Sequence, residues 1–456
     1  MFDWYYFLFF GAGILIYCLE IIGAHRSFED YFTPTAQYGI GKGTVMVWAG
    51  FFSAWTYEMA FFSSIAFGLG VSILYWLSFY MLVYILLSRF MPLAIKQAAT
   101  ENILGLSDLY FRRFPRKGRQ LSFIILFLAN LDGLIIQPIF ALWLFRMLFN
   151  VNGLLFISLL VSFCVIISGL GGIAGITRAI KVLMIVSGAA LVFLPIYLYV
   201  IKGIEQVYGQ YRHWSLLHTA NSEYMLLFFL IVVSLAFSKI STSLFVWRVL
   251  LSVKRPHFSS TIKLAVLGSA SFSLSLLAYF VYIASQHIDS NWKAIIQSFT
   301  DIQGTLLLTV ATFIWFITVA YSIIFSLYSI NSLVSAFLEQ FGSKLATTKR
   351  VYLFSLIVGA VSVLFASSLF GRSLHIVFIY ILYASSIAIP SMAILFKRGN
   401  LPSWIPMAIL FVSMGTIAFY CLNNSFSLSL YIGLISSFLL GLIIHYSDFS
   451  ENNKII

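Results

Sequence analysis

Thirteen apolar stretches, spread over the whole chain of 456 residues, constrain the fold more than any other feature. A bilayer is crossed by a helix of about 20 apolar residues, and most of these stretches have that length. With 61% hydrophobic and only 9% charged residues, the chain leaves no room for a soluble domain. The pattern predicts an all-α polytopic membrane protein with about 13 transmembrane helices. The predicted spans are residues 4–22, 43–70, 72–91, 120–149, 153–169, 176–201, 224–251, 262–285, 304–335, 350–370, 373–396, 403–421 and 427–446.

The spans form two groups of five with three additions, all within a single transmembrane domain. Because five is odd, the second group enters the membrane from the opposite side to the first. Each group has a substantial loop between its second and third helix, at residues 90–119 and 286–303. Inverted repeats of this kind are typical of many secondary transporters. The predicted segments are 1–42 (an extra helix and loop), 43–201 (first repeat), 202–398 (second repeat) and 399–456 (two extra helices and a tail).

Basic residues are distributed unevenly between the two sides of the membrane. If the N-terminus is outside, 21 of the 27 Lys and Arg residues fall in inner loops or at inner helix ends. The positive-inside rule therefore predicts an outer N-terminus and a cytoplasmic C-terminus, with a bacterial inner (plasma) membrane as the expected location. The basic run at 112–117 is then expected to be a cytoplasmic loop beside anionic lipid headgroups, and not a nucleic-acid site.

Span 2 is apolar at its ends and polar in its middle, where it carries Glu58. A carboxylate near the bilayer midplane costs at least about 2–3 kcal/mol unless it is paired, protonated or facing water. One interpretation is a binding site at this level. The other is a packing helix whose hydroxyls bond to its own carbonyls and whose acid is satisfied structurally. The candidate path residues of this span are Ser53, Thr56, Glu58, Ser63 and Ser64.

Lys239 lies inside span 7, about 12–15 residues from either end, which is too far for its side chain to reach water along the helix. One interpretation is an anion anchor, or a fixed cation in place of a coupling ion, with protons moving on and off it. The other is a static ion pair with Glu58 or Asp132 that braces the bundle. Asp132, in span 4, is expected to be the partner of a cation. The neighbouring candidates in span 7 are Ser238, Ser241 and Thr242.

No pattern of residues indicates catalytic chemistry. The three cysteines lie in or beside apolar spans, and the seven histidines show no paired ligand spacing. Nucleophile and phosphate-binding motifs are absent as well. The sequence therefore predicts a protein without metal or cofactor, and a membrane-embedded enzyme is disfavoured.

Four stretches resemble motifs of the sodium:solute symporter family, which holds sodium-coupled sugar, proline and pantothenate carriers. The resemblance implies a LeuT-type core of two inverted five-helix repeats. It also implies a substrate site at the midplane, between broken first and sixth core helices that correspond to spans 2 and 7. The stretches are 29–32 (like D-Y-F), 53–70 (like the first core helix, with Glu58), 168–188 (like Y-T-x-x-G-G to T-D-x-x-Q) and 247–254 (like Q-R-x-L-A-x-K).

The chain departs from the family where sodium is bound. Aligning Asn-Ser at 331–332 with the family's Asn-Ser places Ile324 and Phe325 where a serine pair holds the coupling ion, and neither offers oxygen to a hard cation. Arg178 falls near the family's acid, and Lys181 replaces its glutamine. Conventional sodium coupling is therefore not expected. The candidate path residues of span 9 are Tyr321, Ser322 and Ser326.

These features predict a secondary active transporter that moves a small polar solute by alternating access, and that is coupled to protons or uncoupled. The alternative is a transporter-fold sensor or membrane assembly subunit that binds a ligand or partner without coupled flux. Flux in reconstituted vesicles separates the two.

Overall fold

The computed structural model describes residues 5–20, 22, 28–34, 37–51, 54–100, 103, 105–149, 153–218, 222–285, 306–340, 348–397 and 399–447. Apart from one isolated parallel bridge between Tyr38 and Val253, every regular element in these ranges is a helix. Lengths of about 20 apolar residues form helices because a helix satisfies its backbone groups internally, which a bilayer requires.

The first half of the chain contains ten α-helices among its described residues. A π-helical segment, Leu86–Phe90, continues α4, and a second, Val165–Leu170, continues α9. The bounds are α1 Tyr5–Cys18, α2 Phe28–Phe32, α3 Ile40–Phe51, α4 Ala54–Ile85, α5 Met91–Thr100, α6 Leu106–Arg113, α7 Arg116–Ala129, α8 Asp132–Phe149, α9 Gly153–Cys164 and α10 Gly172–Lys202.

The second half contains nine further α-helices among its described residues, with short 3₁₀ turns at Arg255–His257 and Phe370–Arg372. The loop predicted at 286–303 lies outside the described residues. The bounds are α11 Ile204–His218, α12 Ser222–Thr242, α13 Leu244–Ser252, α14 Phe258–Ser285, α15 Leu306–Gln340, α16 Thr348–Leu369, α17 Ser373–Phe396, α18 Trp404–Asn423 and α19 Phe426–Tyr446.

The described helices supply ten segments long and apolar enough to cross a membrane, against about thirteen predicted. The difference has three sources. The described part of span 1 is a helix of only 14 residues. Spans 10 and 11 are joined without an interruption by the 3₁₀ turn, so Thr348–Phe396 counts as one segment. Span 2 is divided between α3 and the first part of α4.

Of the two helices that were expected to be broken, span 7 is interrupted near its middle, whereas residues 52–53 in the middle of span 2 lie outside the described residues. In span 2, α3 ends at Phe51 and α4 begins at Ala54. In span 7, Ser243 has an extended backbone between α12 and α13, and its hydroxyl accepts a hydrogen bond from Val246 N at 3.4 Å. Within α4 the chain turns sharply at Gly68, whose φ of 77° favours glycine.

Span 4 is also broken, which the sequence analysis did not predict. The break lies at Asn130 and Leu131, between α7 and α8, and not at Pro138, which sits inside α8. Proline cannot donate to the carbonyl four residues before it, which here belongs to Leu134. Ser362 Oγ of α16 donates to that carbonyl instead, so the helix continues through the proline.

α15 is the central helix, since 89% of its membrane-spanning window is buried. It packs against α8, α10 and α16, while α14 packs against α3 and α4, and α17 against α12 and α19. The crossing of α8 and α15 requires Gly133, because a Cβ atom there would lie 2.1 Å from Ser322 O. This close approach brings the start of α8 beside the middle of α15.

The basic run at 112–117 was expected to be a loop, but it is largely helical. Most of it belongs to the end of α6 and the start of α7. Arg113 is buried and donates to Ile394 O, and Arg112 pairs with Asp108 at 3.1 Å. The buried carbonyl end of α17 provides a better partner for Arg113 than lipid headgroups do.

Candidate functional site

Two helix breaks, at Asn130–Leu131 and at Ser243, lie at one level of the bundle, and side chains connect them to each other and to α4 and α15. Asn130 Nδ2, at the break between α7 and α8, donates to Leu126 O at 2.8 Å and to Thr242 O at 2.9 Å. Ala54 N, at the start of α4, donates to Ser322 Oγ of α15 at 3.3 Å. Free backbone groups at helix ends are a common source of binding contacts in membrane transporters.

A small polar cavity lies among these breaks. Its volume is about 30 Å³, which is room for about two water molecules. Six of the thirteen candidate residues line it: Asp132, Ser238, Lys239, Thr242, Ser322 and Ser326.

Asp132 is held in the cavity by two side chains. Trp55 Nε1 donates to Oδ2 at 3.2 Å, and Ser326 Oγ donates to Oδ1 at 3.4 Å. Gly133 N donates to the same Ser326 hydroxyl at 3.2 Å. The Trp55 ring stacks on Tyr380, with centroids 5.8 Å apart. The carboxylate is therefore oriented from α4, α8 and α15 together.

Lys239 lines the same cavity and is half-buried. Asp132 is the acid whose charge acts on it, although no ion pair within 4.0 Å joins Lys239 to any described carboxylate. Of the two partners considered for the lysine, the structure places Asp132 beside it and Glu58 elsewhere. The cavity thus has one basic and one acidic side chain in its lining, which do not form a direct ion pair.

Glu58 forms a second polar cluster on α4, apart from the cavity lining. Its carboxyl is buried, and Gln137 Nε2 donates to Oε2 at 3.5 Å. The indole of Trp315 faces the carboxyl without reaching hydrogen-bond geometry. Three buried atoms of this cluster have no hydrogen-bond partner in the described part of the chain: Glu58 Oε1, Gln137 Oε1 and Trp315 Nε1.

The other candidates are not at the cavity, and Ser53 lies outside the described residues. Thr56 Oγ1 donates to Phe51 O at 2.9 Å, Ser63 Oγ to Ala60 O at 3.0 Å and Ser241 Oγ to Ser238 O at 3.1 Å. These hydroxyls bond to nearby backbone carbonyls, as the packing interpretation expects. Ser64 O accepts from the Tyr211 hydroxyl at 3.5 Å, and the Tyr321 hydroxyl meets Ser187 Oγ at 3.3 Å.

The two positions aligned with the sodium-binding serines differ from each other. Phe325 lines the cavity and stacks on Phe245, with centroids 3.9 Å apart. Ile324 points away, and its carbonyl accepts from Ser168 Oγ at 3.0 Å. Arg178, aligned near the family's acid, binds Glu20 at 3.2 Å and so faces the chain after α1.

Sequence reasoning missed several cavity residues. Ser329 follows Ser322 and Ser326 at helical spacing, so that signal was available. No local signal marks Trp55 or Tyr380, which come from spans far apart in the chain. Asn130 was not among the predicted site residues. Its role depends on the break between α7 and α8 and on its hydrogen bond to Thr242 O.

The described residues contain no group of three or more His, Cys, Asp and Glu that could hold a metal ion. Oxygen donors are present at the cavity, where Asp132, Ser322 and Ser326 lie near one another. The Lys239 ammonium in the same space opposes a further cation by charge repulsion.

No family model matches the chain, and no curated protein matches it. Solved structures do match. A Na+-coupled sialic acid symporter in a substrate-bound outward-open state has a TM-score of 0.74 at 15% identity, covering 97% of each chain. The manganese transporter of Eremococcus coleocola has a TM-score of 0.53 at 14% identity, covering 92% of this chain and 97% of its own. MhsT in complex with L-phenylalanine has a TM-score of 0.50 at 16% identity, covering 90% and 100%.

These likenesses confirm the predicted fold class, an all-α membrane protein with a LeuT-type core. They do not establish membership of the sodium:solute symporter family, since identities of 14–16% show the fold alone. The number of spanning helices is not confirmed by them either. The chain therefore has the architecture of these transporters, with its own set of residues at the helix breaks.

Proposed function

We propose that this protein is a secondary transporter that moves a small polar solute across a membrane by alternating access. The observation that carries the proposal is the cavity containing Asp132 and Lys239, which lies where two interrupted helices meet the middle of α15. Charged side chains inside a bilayer are costly, and they commonly mark the path of a solute or ion. The fold that surrounds this cavity is shared with structures of transporters.

The cavity is too small for a solute in this structure, since about 30 Å³ holds about two waters. Closure on the side predicted to be cytoplasmic involves the backbone. Tyr38 N donates to Ser252 O at 2.8 Å, and Lys254 N donates to Tyr38 O at 3.0 Å. This bridge joins the segment before α3 to the end of α13. Alternating access requires that it separate when the inner side opens.

The two charges of the cavity indicate the kind of solute. Lys239 offers an ammonium to an anionic group, while Asp132 and the hydroxyls of Ser322 and Ser326 offer acceptors to donor groups. We propose that Lys239 also supplies the positive charge that a coupling sodium would bring. Binding and uptake are then independent of sodium, and protons are the coupling ion.

A ligand screen followed by flux tests the function. The purified protein is heated with a panel of small acids, amino acids and sugars that includes sialic acid and L-phenylalanine. A ligand at about 100 times its Kd stabilises the native state by about 2.7 kcal/mol, so a true solute raises the melting temperature. That compound is then offered to proteoliposomes in choline buffer. Accumulation supports transport, whereas binding without flux would indicate a sensor and overturn the proposal.

The orientation proposed from the charge distribution can be tested with single cysteines. We propose that the N-terminus lies outside and the C-terminus in the cytoplasm of a bacterial inner membrane. A cysteine placed at Arg116 should react with a membrane-impermeant maleimide only after the cells are opened. One placed at Glu205, in α11, should react in intact cells. The reverse pattern would invert the orientation.

A further inference from the structure

The Glu58 cluster is a polar site built inside otherwise apolar packing. Glu58 and Gln137 are at most 4% exposed, and each has a carbonyl or carboxyl oxygen without a partner in the described chain. Trp315 adds an indole N–H that also lacks one. Buried polar atoms without hydrogen-bond partners cost free energy. The presence of three such atoms in one cluster therefore indicates that a further hydrogen-bonding group, such as an added proton, belongs there.

The cluster and the cavity share the same three helices. Along α4, Glu58 follows Ala54 by four residues; along α8, Gln137 follows Asp132 by five; along α15, Trp315 precedes Ser322 by seven. In the predicted topology α15 runs opposite to α4 and α8, so all three displacements point to the outer side. At 1.5 Å per residue, the cluster lies about 6–10 Å outward of the cavity.

The surroundings of Glu58 suit a neutral carboxyl. Among the described residues, an ionised carboxylate at this place would accept one long hydrogen bond from Gln137 and would have no cation beside it, which is costly in a low-dielectric interior. A protonated carboxyl has a hydroxyl to donate, and the Gln137 amide oxygen can accept it once the amide is turned.

The groups brought by the packed helices do not change this. From α8, Asp132 acts on Glu58 as a like charge. From α12, Lys239 reaches the cavity beside Asp132. From α14, Tyr279 faces Tyr57. From α11, Tyr211 reaches the Ser64 carbonyl.

We propose that Glu58 is the proton-carrying site of this transporter. Gln137 donates a hydrogen bond to its carboxyl, the indole of Trp315 faces it, and the site is separate from the charged side chains of the cavity. When the outer side opens, Glu58 takes a proton from water. When the inner side opens, it releases that proton to water in the Asp132 cavity. On uptake an O–H bond of a hydronium ion breaks while the carboxyl O–H bond forms, and on release the carboxyl O–H bond breaks while a water molecule accepts the proton as hydronium. This inference rests on the proposed transport function.

Infrared spectroscopy tests the proton without any need for flux. The purified full-length protein should show the stretching band of a protonated carboxylic acid. Glu58→Gln should remove that band, and the surface variant Glu205→Gln should keep it. A band that persists in Glu58→Gln, or its absence from the native protein, would overturn the proposal. If Glu58→Gln does not fold, Trp315→Phe is used: the band should shift because the facing N–H is gone, and an unmoved band counts against the site.

Uptake of the solute found in the screen tests coupling. With one proton per solute, an inward gradient of one pH unit supports about tenfold accumulation, since each tenfold ratio corresponds to about 1.4 kcal/mol. Glu58→Gln should lose the response to the gradient, and Glu205→Gln should retain it. A response that persists in Glu58→Gln would overturn Glu58 as the coupling site. A native protein with the Glu58 band but without any uptake would overturn the transport function instead.

Discussion

Asp132 and Glu58 are two carboxyl groups on crossing helices of the same bundle, yet their environments are opposite. Asp132 is half-buried, receives hydrogen bonds from Trp55 and Ser326, and shares a cavity with Lys239. Glu58 is buried and meets an amide and an indole, with no cation nearby in the described residues. The first environment stabilises charge, and the second stabilises a neutral group.

The difference follows from distance to the helix breaks. Asp132 begins α8, next to Asn130, where the backbone is interrupted and polar groups from α12 and α15 gather. One to two turns outward, the helices are continuous, and aromatic packing replaces polar side chains: Tyr57 stacks on Trp315, with ring centroids 5.5 Å apart. The polar groups at the breaks can therefore stabilise the charged Asp132, whereas the aromatic packing around Glu58 favours a neutral carboxyl.

The largest effect is expected from Lys239→Met, which removes the ammonium and keeps an apolar side chain of similar length. Uptake in choline buffer should be abolished. The free energy of unfolding should fall by about 2 kcal/mol, less than the 3–5 kcal/mol of fully buried pairs, because Asp132 keeps two hydrogen bonds. Adding Asp132→Asn should restore the melting temperature without restoring uptake.

The exposed residue Lys263 on α14 provides the matched control. Lys263→Met should change neither quantity. Normal uptake and normal stability in Lys239→Met would exclude Lys239 from the transport mechanism and leave Glu58 as the titratable group to be tested.

Lys239→Met should also become more stable in the presence of sodium. Without the ammonium, Asp132, Ser322 and Ser326 offer oxygen ligands to a cation in the cavity of about 30 Å³. Saturating sodium, at about 100 times its Kd, should stabilise Lys239→Met by about 2.7 kcal/mol relative to choline. The native protein should melt at the same temperature in both salts. Stabilisation of the native protein by sodium would show that Lys239 does not replace the ion.

A smaller effect is expected from Gln137→Leu, which removes the hydrogen bond to Glu58. The unfolding free energy should decrease by about 1–3 kcal/mol, the cost of leaving a buried polar group unsatisfied. Combining it with Glu58→Leu should recover most of that loss, because no polar group then remains. Gln206→Leu on α11, where the side chain is exposed, serves as the control. Additive losses in the double variant would contradict the proposed Glu58–Gln137 contact.

The smallest effect on uptake is expected from Trp55→Phe. Phenylalanine can keep the stacking on Tyr380 but cannot donate to Asp132. Loss of one hydrogen bond to a charged group should cost about 1.5–3 kcal/mol at most, and uptake should fall several-fold without being lost. Trp404→Phe, at an exposed position, should leave uptake unchanged. Complete loss of uptake would mean that Trp55 touches the solute directly.

Local sequence signals predicted much of the fold. Lengths of apolar residues predicted the helices, and the polar residues within span 7 marked the level at which that span is interrupted. Span 4 was different, because Pro138 lies inside a continuous helix and the break occurs instead at Asn130 and Leu131, which no local signal predicted. The actual break at Asn130 is maintained by a contact with Thr242, 112 residues away along the chain.

The sequence by itself determined that the chain is a helical membrane protein, that acids and a lysine lie within its spans, and that serines recur along one face of α15. These properties depend on hydropathy and on the helical period, which are local. Only the tertiary structure decided that Lys239 and Asp132 line the same cavity and that Gln137 donates a hydrogen bond to Glu58. Those pairings depend on which helices cross and how closely, as at Gly133 and Ser322, and contacts between residues so distant in the chain leave no local pattern.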